Sequence, residues 1–118
     1  MRKDETFVKS LDMIIELFKE TLNSGAKAYL FGSSVREDYK KFSDIDIALE
    51  NADSKAITFL KYKLEDLNIP YKVEIIDLSK ASEKFKKEIF KNGVLIWKNW
   101  GQNLKLHKGL WKLLKRGK

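Results

Sequence analysis

Two runs of this chain hold side chains whose types and spacing could do chemistry together. They are Leu30-Phe31-Gly32-Ser33-Ser34-Val35-Arg36 and Ser43-Asp44-Ile45-Asp46-Ile47-Ala48-Leu49. In a strand, residues two apart face the same way, so Asp44 and Asp46 present two carboxylates side by side, ~6–7 Å apart along the chain. Two like charges so placed repel, and a divalent cation between them relieves the repulsion. Hard oxygen ligands with open positions suit Mg²⁺, which takes one or two carboxylates and leaves its other positions to water and phosphate. Gly32-Ser33 falls at a strand end, where a residue without a side chain lets phosphate approach the backbone, and Ser33 offers an N–H and a hydroxyl. Arg36 adds a charge-assisted contact to phosphate. Taken singly, a Gly-Ser pair is a common turn and an Asp-x-Asp strand a common solvated face. Gly-Ser, ten residues, Asp, one residue, Asp is the combination that describes a metal–nucleotide site.

The elements that must position these groups follow from periodicity. Phe7, Leu11, Ile14, Ile15, Phe18 and Leu22 keep helical spacing over Asp4 to Asn23, and Asn23-Ser24-Gly25 ends the helix. Ala28 to Phe31 is a short apolar strand closed by Gly32, and Ile45, Ile47 and Leu49 alternate with Asp44, Asp46 and Ala48 in a second. Ser54 is placed to cap a helix carrying Ile57, Leu60, Leu64 and Leu67, which ends before Asn68-Ile69-Pro70. Tyr71 to Leu78 reads as a third strand. Ser82 opens a basic helix through Lys91, ended by Asn92-Gly93, and Val94 to Trp97 is a last short strand. The order predicts an α/β (α+β) domain, a mixed sheet with helices packed mainly on one side.

Composition bounds the rest. The chain has 118 residues, 43% hydrophobic, with one proline and six glycines, which is one domain's worth of ordinary globular sequence. Without cysteine and with a single histidine, thiolate and imidazole metal clusters are excluded, so any metal is held by oxygen. Met1 to Glu5 is charged and no apolar run approaches the ~18 residues of a membrane span, which predicts a cytoplasmic protein with no membrane partner.

The net charge of +7 belongs to one segment. Lys98 to Lys118 holds seven basic residues and no acid, leaving 17 basic against 17 acidic side chains in residues 1–97. The predicted organisation is therefore a domain over 1–97 and a basic tail over 98–118. In the tail Leu104, His107, Trp111 and Leu114 recur at helical spacing, a basic amphipathic helix. Such a helix packs on its own domain, on a second copy of the chain, or on an anionic partner such as RNA or a membrane surface. Any nucleic-acid role rests on this tail alone, and a homo-oligomer stays open.

Phe31-Gly32-Ser33 followed by Ser43-Asp44-Ile45-Asp46-Ile47-Ala48-Leu49 resembles the signature of the DNA polymerase β-like nucleotidyltransferase superfamily, and the chain's brevity is similar to its minimal nucleotidyltransferase domains. The resemblance covers about residues 4–97 and implies the polymerase β-like fold. It implies that Ser33 contacts the phosphates of a nucleotide, beside the contacts already read at Gly32 and Arg36, that Asp44 and Asp46 ligate Mg²⁺, and that a third carboxylate on a following strand completes a site for two ions. The matching position in Tyr71-Lys72-Val73-Glu74-Ile75-Ile76-Asp77-Leu78 is Glu74, where relatives usually carry Asp. Asp77, on the opposite face by parity, is the second choice. The position after Arg36, often glycine in relatives, is Glu37.

The resemblance further implies an enzyme using ATP, and small proteins of this kind are commonly the antitoxin partner of a helical HEPN ribonuclease toxin. The expected reaction is transfer of AMP to a tyrosine hydroxyl of that toxin. Two alternatives stand beside it: a binding module that neutralises its partner by occlusion, and a nucleotidyltransferase acting on a small molecule.

Overall fold

The structure, a computed structural model, describes residues 2–36 and 44–99. Helix α1 spans Glu5–Thr21, and Asp4 caps it by accepting from the Phe7 N–H at 3.2 Å. Phe7, Leu11, Ile14 and Phe18 are buried along one stripe. Removing one of the large ones, Phe18→Ala, costs about 3–5 kcal/mol by the usual cavity argument. The Leu22 N–H closes on the Phe18 carbonyl, and Gly25, at φ +86°, turns the chain into strand β1, Lys27–Phe31.

Strand β2 (Ile45–Glu50) lies antiparallel to β1, and β3 (Val73–Asp77) lies parallel to β2 because helix α2 (Ser54–Glu65) makes the crossover between them. After helix α3 (Glu83–Asn92), β4 (Val94–Lys98) returns antiparallel to β1 on its free side, giving the order β3-β2-β1-β4. Ala28, Leu30, Ile45, Ile47 and Leu49 point into the main core with α1 and α2. Tyr29, Phe31, Ala48 and Ile76 point to the other face, where α3 covers them with Phe85 and Ile89. Two of the three helices thus share one face; α3 sits opposite because the two aromatics of β1 need cover there.

Local bounds differ from the sequence reading in small ways. Asp53, not Ser54, occupies the cap position of α2; Ser54 is its first helical residue, and Leu67 lies in the turn beyond its end. The Asp53 N–H donates to Asn23 Oδ1 at 2.8 Å, tying the α2 start to the end of α1. Tyr71 precedes β3 and packs edge-on against Phe7, and Leu78 belongs to a single 3₁₀ turn, Leu78–Lys80. Packing also continues past residue 97. Lys98 pairs opposite Lys27, and the Asn99 N–H donates to the Ala26 carbonyl at 2.9 Å. The amphipathic segment Leu104 to Leu114 lies outside the described residues, as does Glu37. Among the described residues no helix is long and apolar enough to cross a membrane.

Candidate active site

The register of the sheet assembles the site. Phe31 is the cross-strand partner of Asp46, and Asp46 is the partner of Glu74, so the end of β1, the second aspartate and the glutamate form a row across three strands. All three face the side that carries α3, away from the main core. Gly32 follows Phe31 directly and opens a 3₁₀ turn, Gly32–Ser34, at φ +76°. A Cβ there would stand 2.5 Å from Asp46 Oδ2, so only glycine lets the turn lie against the carboxylate. The Gly32 carbonyl accepts from the N–H groups of Val35 and Arg36, and the Ser34 carbonyl accepts from the Arg2 N–H at 3.0 Å.

The electrostatics follow from this crowding. Asp46 is half-buried, and its carboxyl is pushed above the ordinary carboxylate range, first by burial, then by the charges of Asp44 and Glu74, against the opposing pull of Arg36. Asp44, the exposed residue just before β2, and Glu74 are therefore both near enough to burden Asp46. Lys72 Nζ sits 3.2 Å from Glu74 Oε1, and this contact, with the charge of Asp44, holds its ammonium above the usual lysine value.

The donor set fits a hard cation bound jointly with phosphate. Among the described residues no three acidic or imidazole side chains converge into a ready-made metal cage. Mg²⁺ does not require one, since one or two carboxylates with water and substrate phosphate oxygens suffice. A carboxylate already strained by two neighbouring negative charges gains most from such an ion.

Of the residues singled out from sequence, Gly32, Asp44, Asp46, Glu74 and Arg36 are brought together, with Ser33 half-exposed in the same turn. Asp77 is not. It lies opposite Leu49 in register, and its Oδ1 accepts from the N–H and hydroxyl of Ser79 at 3.0 and 2.8 Å, capping the turn after β3. Tyr29 is a packing residue: its ring meets Phe90, its hydroxyl donates to Glu50 at 2.9 Å, and burial together with Glu50 pushes that hydroxyl up to about 12.

Two neighbours escaped the sequence reading. Lys72 shares strand parity with Glu74, a signal that was present. Arg2 had none: its buried guanidinium lies 5.2 and 5.0 Å from the ring centroids of Phe7 and Tyr71, a contact between distant parts of the chain.

The profile of the polymerase beta nucleotidyltransferase family matches residues 12–100, which takes in all of these positions but Arg2. The chain belongs to that family. This nucleotidyltransferase is 31% identical, over 93 residues, to the probable protein adenylyltransferase MntA of Haemophilus influenzae, covering 75% of this chain and 82% of the relative. Its fold matches a toxin–antitoxin crystallised with AMP-PNP at a TM-score of 0.59 and 26% identity, over 90% of each chain. It also matches, in fold alone, a chain of the complex between the tri-AMPylated HEPN toxin and MNT antitoxin of Shewanella oneidensis. That match has a TM-score of 0.52 and 23% identity, over 92% of this chain and 89% of the other. The polymerase β-like mixed sheet expected from the sequence is thus the fold observed.

Proposed function

We propose that this nucleotidyltransferase transfers AMP from ATP to a tyrosine hydroxyl of a HEPN-type toxin and acts as that toxin's antitoxin. The observation that carries the reading is the row of Phe31, Asp46 and Glu74 across three strands, with the Gly32 turn set against its crowded carboxylate pair. A relative named as a probable protein adenylyltransferase and a similar toxin–antitoxin structure with AMP-PNP support an adenine nucleotide as donor and a protein as acceptor.

In this reading the backbone at Gly32 and Ser33 receives the donor's phosphates, and Arg36 offsets their charge at the rim. Asp44 and Asp46 would hold Mg²⁺ jointly with water and the donor's phosphate oxygens, and the ion would supply charge neutralisation at the triphosphate. The acceptor oxygen attacks the α-phosphorus, a new phosphorus–oxygen bond forms, and the α–β bridge breaks as pyrophosphate departs. Glu74, the carboxylate with a longer reach, takes the acceptor's proton or helps hold the ion.

The test is the intact mass of a small helical HEPN protein bearing Arg-x4–6-His, encoded beside this chain, after incubation with it, Mg²⁺ and ATP. AMP-sized additions are expected, and the Asp44→Asn, Asp46→Asn double variant should produce none. A stable complex without any addition would replace transfer with neutralisation by occlusion.

A further inference from the structure

A cavity of about 620 Å³ opens beside the Gly32 turn, within the ~300–1,000 Å³ range of small-molecule sites. Its walls include Phe31, Gly32 and Arg36 on one side and Phe85, Glu88 and Asn92 of α3 on the other. The α3 residues recur at i, i+3 and i+7, so one helical face lines it. Gly32 is both a wall of this cavity and the residue set against Asp46, so the cavity and the carboxylate row share the Gly32 turn.

We propose that this cavity receives the nucleoside half of the donor nucleotide, with the base against Phe31 and Phe85 and its amino edge read by Glu88 and Asn92. The inference rests on the nucleotidyltransfer reading and adds where the base goes and what selects it. Phe31 and Phe85 meet edge to face at 5.6 Å, an arrangement that leaves ring face for a planar base. The Asn92 amide N–H donates to Glu88 Oε1 at 2.8 Å, which leaves Glu88 Oε2 and Asn92 Oδ1 as acceptors for outside donors. The 6-amino group of adenine can donate to both of those oxygens, whereas the 6-oxo group of hypoxanthine faces them with a single donor, the second Asn92 N–H, beside it. With phosphates at Gly32 and the base under α3, the nucleotide would lie along the cavity with Arg36 beside the phosphates.

The test titrates the full chain, with Mg²⁺, against AMP-PNP, ITP and inorganic tripolyphosphate by calorimetry. Phe85→Ala should weaken AMP-PNP about tenfold, as loss of one base–aromatic stack does, and leave tripolyphosphate unchanged. Glu88→Gln, an exposed change that introduces a donor, should shrink the preference for AMP-PNP over ITP severalfold without lowering the melting temperature. Unchanged AMP-PNP affinity in Phe85→Ala overturns the proposal while leaving nucleotidyltransfer intact; if transfer alone falls, the cavity belongs to the acceptor. Should Phe85→Ala lose both ligands through misfolding, the Glu88→Gln preference decides, and an unaltered preference overturns the proposal. Failure of the wild-type chain to bind AMP-PNP or tripolyphosphate would sink the nucleotide reading itself.

Discussion

Gly32 lies so close to Asp46 that an added Cβ would stand 2.5 Å from Asp46 Oδ2, in a backbone conformation, φ +76°, that side chains rarely adopt. Two separate demands thus fall on one residue. Gly32→Ala must relax the turn out of its left-handed geometry and push the carboxylate aside. Backbone strain of this kind costs about 1–3 kcal/mol, so a melting temperature lowered by roughly 5–15 °C is expected. Because the displaced group is the central carboxylate, AMP transfer should fall at least a hundredfold at temperatures where the variant stays folded. Far-ultraviolet dichroism and the intact-mass assay read the two effects apart. A folded variant with near-normal transfer would show that the close contact has no catalytic consequence.

Asp46 carries the opposite trade between stability and function. Its folded-state carboxyl titrates above the ordinary value because of burial and the charges of Asp44 and Glu74. A group raised in this way adds stability below its unfolded value, near pH ~3.9, and that contribution is lost as pH rises through the folded value. Ionised Asp46 is therefore a liability at neutral pH, and Asp46→Asn should melt higher than wild type at pH 7. The advantage should shrink as pH falls toward the ordinary aspartate range. Millimolar Mg²⁺ with AMP-PNP should raise the wild-type melting temperature and leave Asp46→Asn nearly unmoved. Melting curves across pH, with and without the ion and nucleotide, check each sign.

Much of this arrangement was legible because strand parity is strict. Asp44, Asp46 and the alternating Ile45, Ile47 and Leu49 define which face is core and which holds the carboxylates; burial alternates as far as Ile47, after which Ala48 is buried on the other face beside Leu78 and Ile89. The helical stripe of α1 was equally plain, since its buried residues repeat every three or four positions. The strand order was not legible. That β4 pairs beside β1, with a shift in register between Ala28 and Tyr29, depends on which edge α3 returns the chain to. Which of Glu74 and Asp77 lies beside Asp46 also needed the fold, because only cross-strand register sets Glu74 against it. Arg2 illustrates the limit: 69 residues separate it from Tyr71, whose hydroxyl accepts from its Nη2 at 3.4 Å, and no local pattern encodes that meeting.

That register yields a paired test of the third carboxylate. Glu74→Gln keeps the shape of the side chain and removes its charge beside Asp46, so transfer should drop at least tenfold with stability little changed. Asp77→Asn should leave transfer within about twofold, since that residue only caps the turn at Ser79, where a weakened cap costs roughly 1 kcal/mol or less. Equal losses in the two variants, measured as AMP added to the partner per unit time, would remove the distinction drawn from register.

Arg2 supplies a prediction that concerns the scaffold under the site. Its Nε donates to Asp4 Oδ1 at 2.6 Å, and its backbone N–H holds the carbonyl of Ser34 at the end of the Gly32 turn. The Arg2 hydrogen bond, outweighing burial, holds the Asp4 carboxyl below the ordinary range. A depressed carboxyl adds stability above its unfolded value, and that stability is lost as pH falls through the folded value. Arg2→Met keeps much of the stem between Phe7 and Tyr71 but removes the charge, and should cost about 1–3 kcal/mol at pH 7. The variant should also lose less further stability than wild type between pH 5 and pH 3, because Asp4 no longer has its cation. Urea melts at pH 7, 5 and 3 give both numbers, and a wild-type acid loss no larger than the variant's would mean that the pair contributes nothing. The backbone bond to Ser34 survives the substitution, so AMP-PNP affinity of the folded variant should stay within about threefold of wild type.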